Sequence, residues 1–171
     1  MKKLKEFCIP FSSLKFGSNF FNFEIEKSFF EAFNYSHCEN YDINLKLDFR
    51  KENSFMDLRF YYYGTIQVVC DRCLDIVLHK INSNFNTLIK FSQKIDEIVK
   101  DDIIYLPYES YEYNFSHIFY EHFLLNLPKR FIHKQNLCNS QQLFILDKYS
   151  NNKKNLEHDP RWNKLKDLKK K

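Results

Sequence analysis

Two cysteines three positions apart are the residues whose spacing most directly suggests chemistry. Cys70 and Cys73 enclose an Asp-Arg dipeptide, and two thiols so spaced at the tip of a hairpin suit two ligands of one tetrahedral zinc ion. Cys138 is the best third candidate and His133 the candidate fourth ligand. The alternative is a pair of unliganded thiols in a structural turn, and the sequence leaves both interpretations open.

Catalysis is disfavoured by the patterns around these residues. A redox-active pair needs a helix directly after it to lower a thiol pKa, whereas the flanks of Cys70 and Cys73 alternate as strands do. The sequence contains no His-Glu-x-x-His, no Gly-x-Ser-x-Gly and no phosphate loop. We expect a protein that binds and is not an enzyme, with His117, Glu121 and His122 as ordinary helix residues.

Positive charge is concentrated at one end of the chain. Residues 153–171 hold eight lysines and arginines against three acids, a net +5, so the first 152 residues carry −1 of the total of +4. A basic terminal segment is a typical footprint of binding to a phosphate backbone; a solvated tail is the other interpretation. The candidate residues for RNA or partner binding are Lys153, Lys154, Arg161, Trp162, Lys164, Lys166, Lys169, Lys170 and Lys171.

These groups must be positioned by helices and strands, and the sequence pattern predicts an α+β fold for them. We expect an antiparallel sheet meander packed by one or two helices, with a short C-terminal amphipathic basic helix. Apolar and polar residues alternate as in half-buried strands, and Gly64 lies where a bulge or a close backbone approach would fit. The expected strands cover residues 4–9, 19–26, 42–49, 55–69 and 103–106, with a strand restarting at 74–78 that either continues through 85–91 or is followed there by another.

Helices are expected at three places. A short helix fits residues 28–34, and a longer one begins after Asn114 as N-cap and ends before Pro128. The third begins with Asp159 and Pro160 and is an amphipathic, basic helix. We therefore divide the chain into an α+β core domain over 1–132, a polar connector over 133–158 and a C-terminal basic helix and tail over 159–171.

Composition supports one core domain and a cytoplasmic location. The chain is 44% hydrophobic and 18% aromatic, which supplies ample apolar surface for a core. Its first residues lack the apolar run of a secretory signal, and no stretch is apolar enough to span a membrane.

The aromatic run Phe60-Tyr61-Tyr62-Tyr63 could stack single-stranded bases. Alternation places two of these rings in the core and leaves Tyr61 and Tyr63 on the other face. There we expect cross-strand packing or cover by a helix.

Three ordered landmarks resemble those of the YceD family, the large ribosomal RNA subunit accumulation proteins. They are Gly-Thr-Ile-Gln-Val-Val-Cys-Asp-Arg-Cys-Leu over 64–74, the helix running from Tyr120-Glu121 to Leu127-Pro128, and Asp159-Pro160-Arg161-Trp162. The resemblance implies a role in accumulation of 23S ribosomal RNA, through its synthesis, its processing or large-subunit assembly, with no established catalysis. Some members carry four cysteines that look like a zinc site, of which Cys70, Cys73 and Cys138 fall in matching regions here.

The functional hypothesis is a non-enzymatic factor that binds ribosomal RNA, a pre-ribosomal particle or a ribosomal protein. The rival is a protein-interaction module that holds a ribosomal protein through an exposed sheet edge and has no RNA contact of its own. A third, poorer alternative is a zinc-dependent or thiol enzyme. Salt separates the first two, because contacts to several phosphates weaken steeply as salt is added.

Overall fold

The computed structural model describes residues 2–93, 98–100, 103–134 and 137–150. Its strands are β1 (Cys8–Ile9), β2 (Gly17–Ile25), β3 (Cys38–Lys51), β4 (Phe55–Val69), β5 (Ile76–Ser92), β6 (Ile98–Lys100), β7 (Ile103–Pro107) and β8 (Tyr113–Asn114). Its α-helices are α1 (Lys27–Glu31), α2 (Ser116–Asn126) and α3 (Ser140–Tyr149). Within these residues no helix has both the length and the apolarity needed to cross a membrane.

Six strands form one sheet in the order β2-β3-β4-β5-β7-β6. All neighbours are antiparallel except β5 and β7, which run parallel, and β1 pairs with β8 outside the main sheet. The predicted α+β class and the antiparallel meander are thus confirmed.

Alternation along β3 and β4 gives this pair of strands one buried face. Leu45 lies opposite Tyr62 and Leu47 opposite Phe60, and all four side chains are essentially fully buried. Burying a side chain of this size stabilises a fold by about 1.5–3 kcal/mol. These four side chains lie on the same side of the sheet, here called the inner face. Because side chains alternate along a strand, a shift in register by one residue would move all of them to the other side.

Helix α2 covers that inner face. Phe119 and Phe123 have no exposed surface, and the Phe119 ring lies edge-on to Tyr62 with centroids 5.3 Å apart. The expected N-cap position is taken by Phe115, although the Asn114 side chain still accepts a hydrogen bond from the Ser116 backbone N–H at 2.9 Å. As predicted, the helix ends before Pro128.

In the described residues the structure differs from the predicted elements most clearly at the N-terminus, at β6 and at α3. A 3-10 helix occupies Lys2–Phe7, where a strand was expected over 4–9, and only β1 remains of that strand. Buried Phe7 and Ile9 supplied the apolar pattern, and a short pattern of this kind does not distinguish a strand from a tight helix. After Cys73 the strand β5 continues through 85–91, one of the two alternatives that the sequence left open, and β6 is a short strand that the sequence did not predict.

Helix α3 lies within the stretch interpreted as a polar connector. Its N-cap Asn139 accepts a hydrogen bond from the Gln141 N–H at 3.0 Å, and none of its residues is buried. Its main apolar residues are consecutive over 143–146 and are not spaced three or four apart, so the sequence showed no helical period there. The helix expected from Asp159 lies outside the described residues.

Candidate metal centre

The hairpin between β4 and β5 ends in a tight turn that holds two cysteines inward. The Cys70 N–H donates to Asp75 O at 2.8 Å, and the Leu74 N–H donates to Cys70 O at 3.0 Å. Leu74 adopts a left-handed conformation with φ of 62°, which allows the chain to reverse within these few residues. Both thiols, of Cys70 and Cys73, are fully buried.

The segment after α2 docks on this turn through Asp71. The Asp71 N–H donates to Phe131 O at 2.8 Å, and the Asp71 carboxylate accepts from the Phe131 N–H at 2.7 Å. Because both backbone groups of Phe131 are bonded, His133 is placed beside the cysteines. The sequence motif contains this aspartate, but nothing in the sequence showed its partner.

The four residues that the sequence proposed as metal ligands lie together. One ligand atom from each of Cys70, Cys73, His133 and Cys138 lies within 4.8 Å of all the others. His133 Nδ1 is 3.3 Å from Cys73 Sγ and 3.9 Å from Cys138 Sγ. In a tetrahedral zinc site, ligand bonds of about 2.0–2.3 Å place neighbouring ligand atoms about 3.5–3.8 Å apart.

The second nitrogen of His133 supports the same geometry. His133 Nε2 lies 3.2 Å from the Ile76 carbonyl oxygen. When Nε2–H donates to that carbonyl, the Nδ1 lone pair points into the cluster, as a metal-ligating histidine requires. Three thiols and one imidazole form a soft, closed donor set that fits zinc.

The electrostatics of the cluster favour thiolate. Burial raises the pKa of the Cys70 thiol, but hydrogen bonds from the backbone N–H groups of Cys73, His133 and Arg72 outweigh burial and lower that pKa to about 6. The hydrogen bond to Cys70 raises the pKa of His133, whereas burial raises that of Cys138. A thiol binds zinc as thiolate, so Cys70 is prepared for binding near neutral pH.

A shallow basic groove adjoins the centre. It has a volume of about 490 Å³ and is lined by Asp71, Arg72, Lys129, Arg130, Ile132 and Leu146. The three cations are exposed, and they come from the hairpin tip and from the segment after α2. The contacts that assemble the cluster therefore also bring these cations to one end of the molecule.

The histidines of α2 form no catalytic arrangement in the described part of the chain. His117 lies 3.5 Å from Glu121 at the exposed surface, and His122 stacks on Phe85 with ring centroids 3.9 Å apart. These are surface and packing roles. The candidate binding residues at 153–171 lie outside the described residues.

Comparison with known proteins gives one finding about the family. The family model described as large ribosomal RNA subunit accumulation protein YceD matches residues 58–169, more than half of the chain and all four candidate ligands. Searches of curated proteins and of solved structures found no match. The chain belongs to the YceD family of large ribosomal RNA subunit accumulation proteins.

Proposed function

We propose that this protein is a non-enzymatic factor for accumulation of large-subunit ribosomal RNA, acting in the cytoplasm by binding that RNA or a precursor particle that contains it. The family supplies the process. The mode of action, direct contact with RNA through the basic C-terminal segment, is our proposal.

The observation that carries the proposal is the grouping of cations beside the cysteine–histidine cluster. Arg72, Lys129 and Arg130 line one groove, and the chain continues from that end through α3 to residues 153–171, with their net +5. Each phosphate neutralised by a lysine or arginine releases counterions, so several cations close together favour a polyanion.

The cluster supports a binding function more than a catalytic one. Four protein ligands fill a tetrahedral coordination sphere, whereas catalytic zinc keeps one position open for water or substrate. Bound zinc would supply a crosslink between the hairpin and the segment that holds His133 and Cys138. Such a crosslink would hold Arg72, Lys129 and Arg130, which lie on these two parts, in fixed positions and so form a rigid base for the basic segment.

The test is RNA binding by the full chain across a salt series, compared with a chain that lacks residues 153–171. We expect binding to large-subunit RNA fragments to fall steeply with salt, with log K decreasing by about 0.7–0.9 per phosphate contact for each tenfold rise in salt. A full-length variant whose lysines and arginines in 153–171 are all replaced by glutamine is the matched control for charge. Binding that is equally strong in all three proteins would contradict the proposed role of the segment.

The edge strand β2 favours a second candidate, a module that holds a ribosomal protein. β2 has nine residues and ends the order of the main sheet, so in the described structure one of its sides is available for pairing with an added strand. Salt-insensitive binding of a ribosomal protein, with no RNA bound by any form, would favour this candidate.

A further inference from the structure

The sheet face opposite α1 and α2, here called the outer face, carries exposed aromatic rings. Phe20 is 75% exposed, Tyr61 42% and Tyr63 37%. The sequence favoured cross-strand packing or cover by a helix for the two tyrosines. Cross-strand packing is present, because Lys46 on β3 lies over the Tyr63 ring. Cover by a helix is not, because α2 packs on the inner face and the rings stay partly exposed.

The outer face forms a groove across four neighbouring strands. Its volume is about 530 Å³, and residues from β2, β3, β4 and β5 line it in register. One cross-strand row contains Phe20, Asp48, Arg59 and Asn86, and the next contains Asn22, Lys46, Tyr61 and Asn84. Aromatic rings, cations and hydrogen-bonding groups thus alternate over a short distance.

We propose that this groove binds unpaired bases of single-stranded RNA, an inference that rests on the proposed function and names the form of RNA recognised. Phe20 and Tyr61 offer ring faces on which bases stack. Lys46, whose ammonium lies 5.6 Å from the centroid of the Tyr63 ring, is the cation placed for a phosphate. The guanidinium of Arg59 is held by the Asp57 carboxylate at 2.8 Å, and its side chain remains 58% exposed beside the groove.

Asp48 adds a group that suits a base edge. Its Oδ1 atom is buried and accepts no hydrogen bond from any described residue, a state that costs free energy until a donor arrives. Amino groups of cytosine, adenine and guanine are donors of this kind, and carboxylates accept from them. A phosphate offers no such donor, so this oxygen favours a base amino group or a ribose hydroxyl over a phosphate.

The same residues favour RNA over a protein partner. Lysine and aspartate are depleted at the centre of a protein–protein interface, whereas Lys46 and Asp48 lie on the middle strands of this groove. Single strands also fit better than duplexes, because base faces are covered by stacking within a duplex.

The experiment compares variants of the full chain by fluorescence anisotropy with a labelled, unstructured RNA of about 12 nucleotides, within the range that one binding domain covers. The variants are Phe20→Ala, Tyr61→Ala and Tyr61→Phe, and Tyr111→Ala serves as a matched control because that exposed tyrosine does not line the groove. We expect roughly 5- to 150-fold weaker binding for each of the first two. Tyr61→Phe, which keeps the ring, should lose less affinity than Tyr61→Ala, and Tyr111→Ala should stay close to the wild type. A duplex of the same sequence should bind all variants equally.

Other outcomes overturn the inference in distinguishable ways. Unchanged single-strand binding in Phe20→Ala and Tyr61→Ala, together with loss of binding when residues 153–171 are removed, overturns the groove and leaves the proposed function standing. Absence of RNA binding by every form overturns both. A dimer or a ribosomal-protein contact that depends on Phe20, with RNA binding unchanged, assigns the face to a protein.

Discussion

At the scale of single residues, Asp71 explains how a turn in one part of the chain acquires ligands from another. Its backbone N–H and its carboxylate bind both backbone groups of Phe131, and His133 follows two residues later. The spacing of Cys70 and Cys73 was enough to predict two ligands. The Asp71–Phe131 contact was not predictable, because it joins residues 60 positions apart and leaves no periodic signal.

Replacing Cys73 by serine should abolish zinc binding and destabilise the protein. Zinc at about 1,000 times its Kd stabilises the folded state by about 4 kcal/mol, which for a chain of this size is roughly 8–16 °C in Tm. Thermal unfolding with zinc present, together with metal analysis of the purified protein, would measure the loss.

The matched control for that variant is Cys8→Ser, since Cys8 is a cysteine outside the cluster. It should keep its zinc and its Tm. A chelator should bring the wild type down to the Tm of Cys73→Ser. If Cys73→Ser melts like the wild type and both proteins carry no zinc, the cluster is a set of unliganded thiols in a turn.

Gly64 should tolerate no side chain. A Cβ atom there would collide with the carbonyl oxygen of Asp42 and lie 2.7 Å from the Cα of Ile43, so the close backbone approach expected from the sequence is present. Gly64→Ala forces the β3–β4 pair apart and should cost about 1–3 kcal/mol or more. Urea unfolding would measure it against Thr65→Ala, which should change the free energy of unfolding far less.

At the scale of elements, α2 should contribute most of its stability through one face. Phe119 is fully buried, whereas Leu125 on the same helix is 84% exposed. Phe119→Ala should reduce the free energy of unfolding by about 3–5 kcal/mol through the cavity it leaves. Leu125→Ala should stay within about 0.5 kcal/mol of the wild type, and equal losses in the two variants would show that α2 does not pack as described.

The elements also show which parts of the fold the sequence could predict. The strand predicted over 55–69 coincides with β4 (Phe55–Val69), because a strand with one buried and one solvated face carries a strong period of two. The parallel pairing of β5 with β7 was not predictable, since it depends on the path of the chain between them. Helix α3 was missed for another reason: its main apolar residues are consecutive over 143–146, a run that does not distinguish a helix from a strand or a loop.

At the scale of the whole molecule, the cysteine–histidine cluster joins two parts that the sequence treated as separate. Cys70 and Cys73 belong to the core domain as we divided the chain, and His133 and Cys138 to the connector. Removal of zinc should therefore release the segment after α2 while the sheet stays folded. Brief proteolysis with and without a chelator should show new cuts over 129–150 only when metal is removed. Cuts spread over the sheet would show that the metal is needed for the fold of the sheet as well.

The same crosslink gives a prediction for the cell. If the cluster fixes the cations that contact RNA, then Cys73→Ser should reduce large-subunit ribosomal RNA even where enough folded protein remains. Cells that carry this variant in place of the wild type should show a lower ratio of large-subunit to small-subunit ribosomal RNA, measured with the protein level determined in the same samples. Cells with Cys8→Ser should keep the normal ratio. A normal ratio with Cys73→Ser at equal protein level would mean that accumulation does not depend on the cluster, and the basic segment would then have to act without the rigid base that we assign to it.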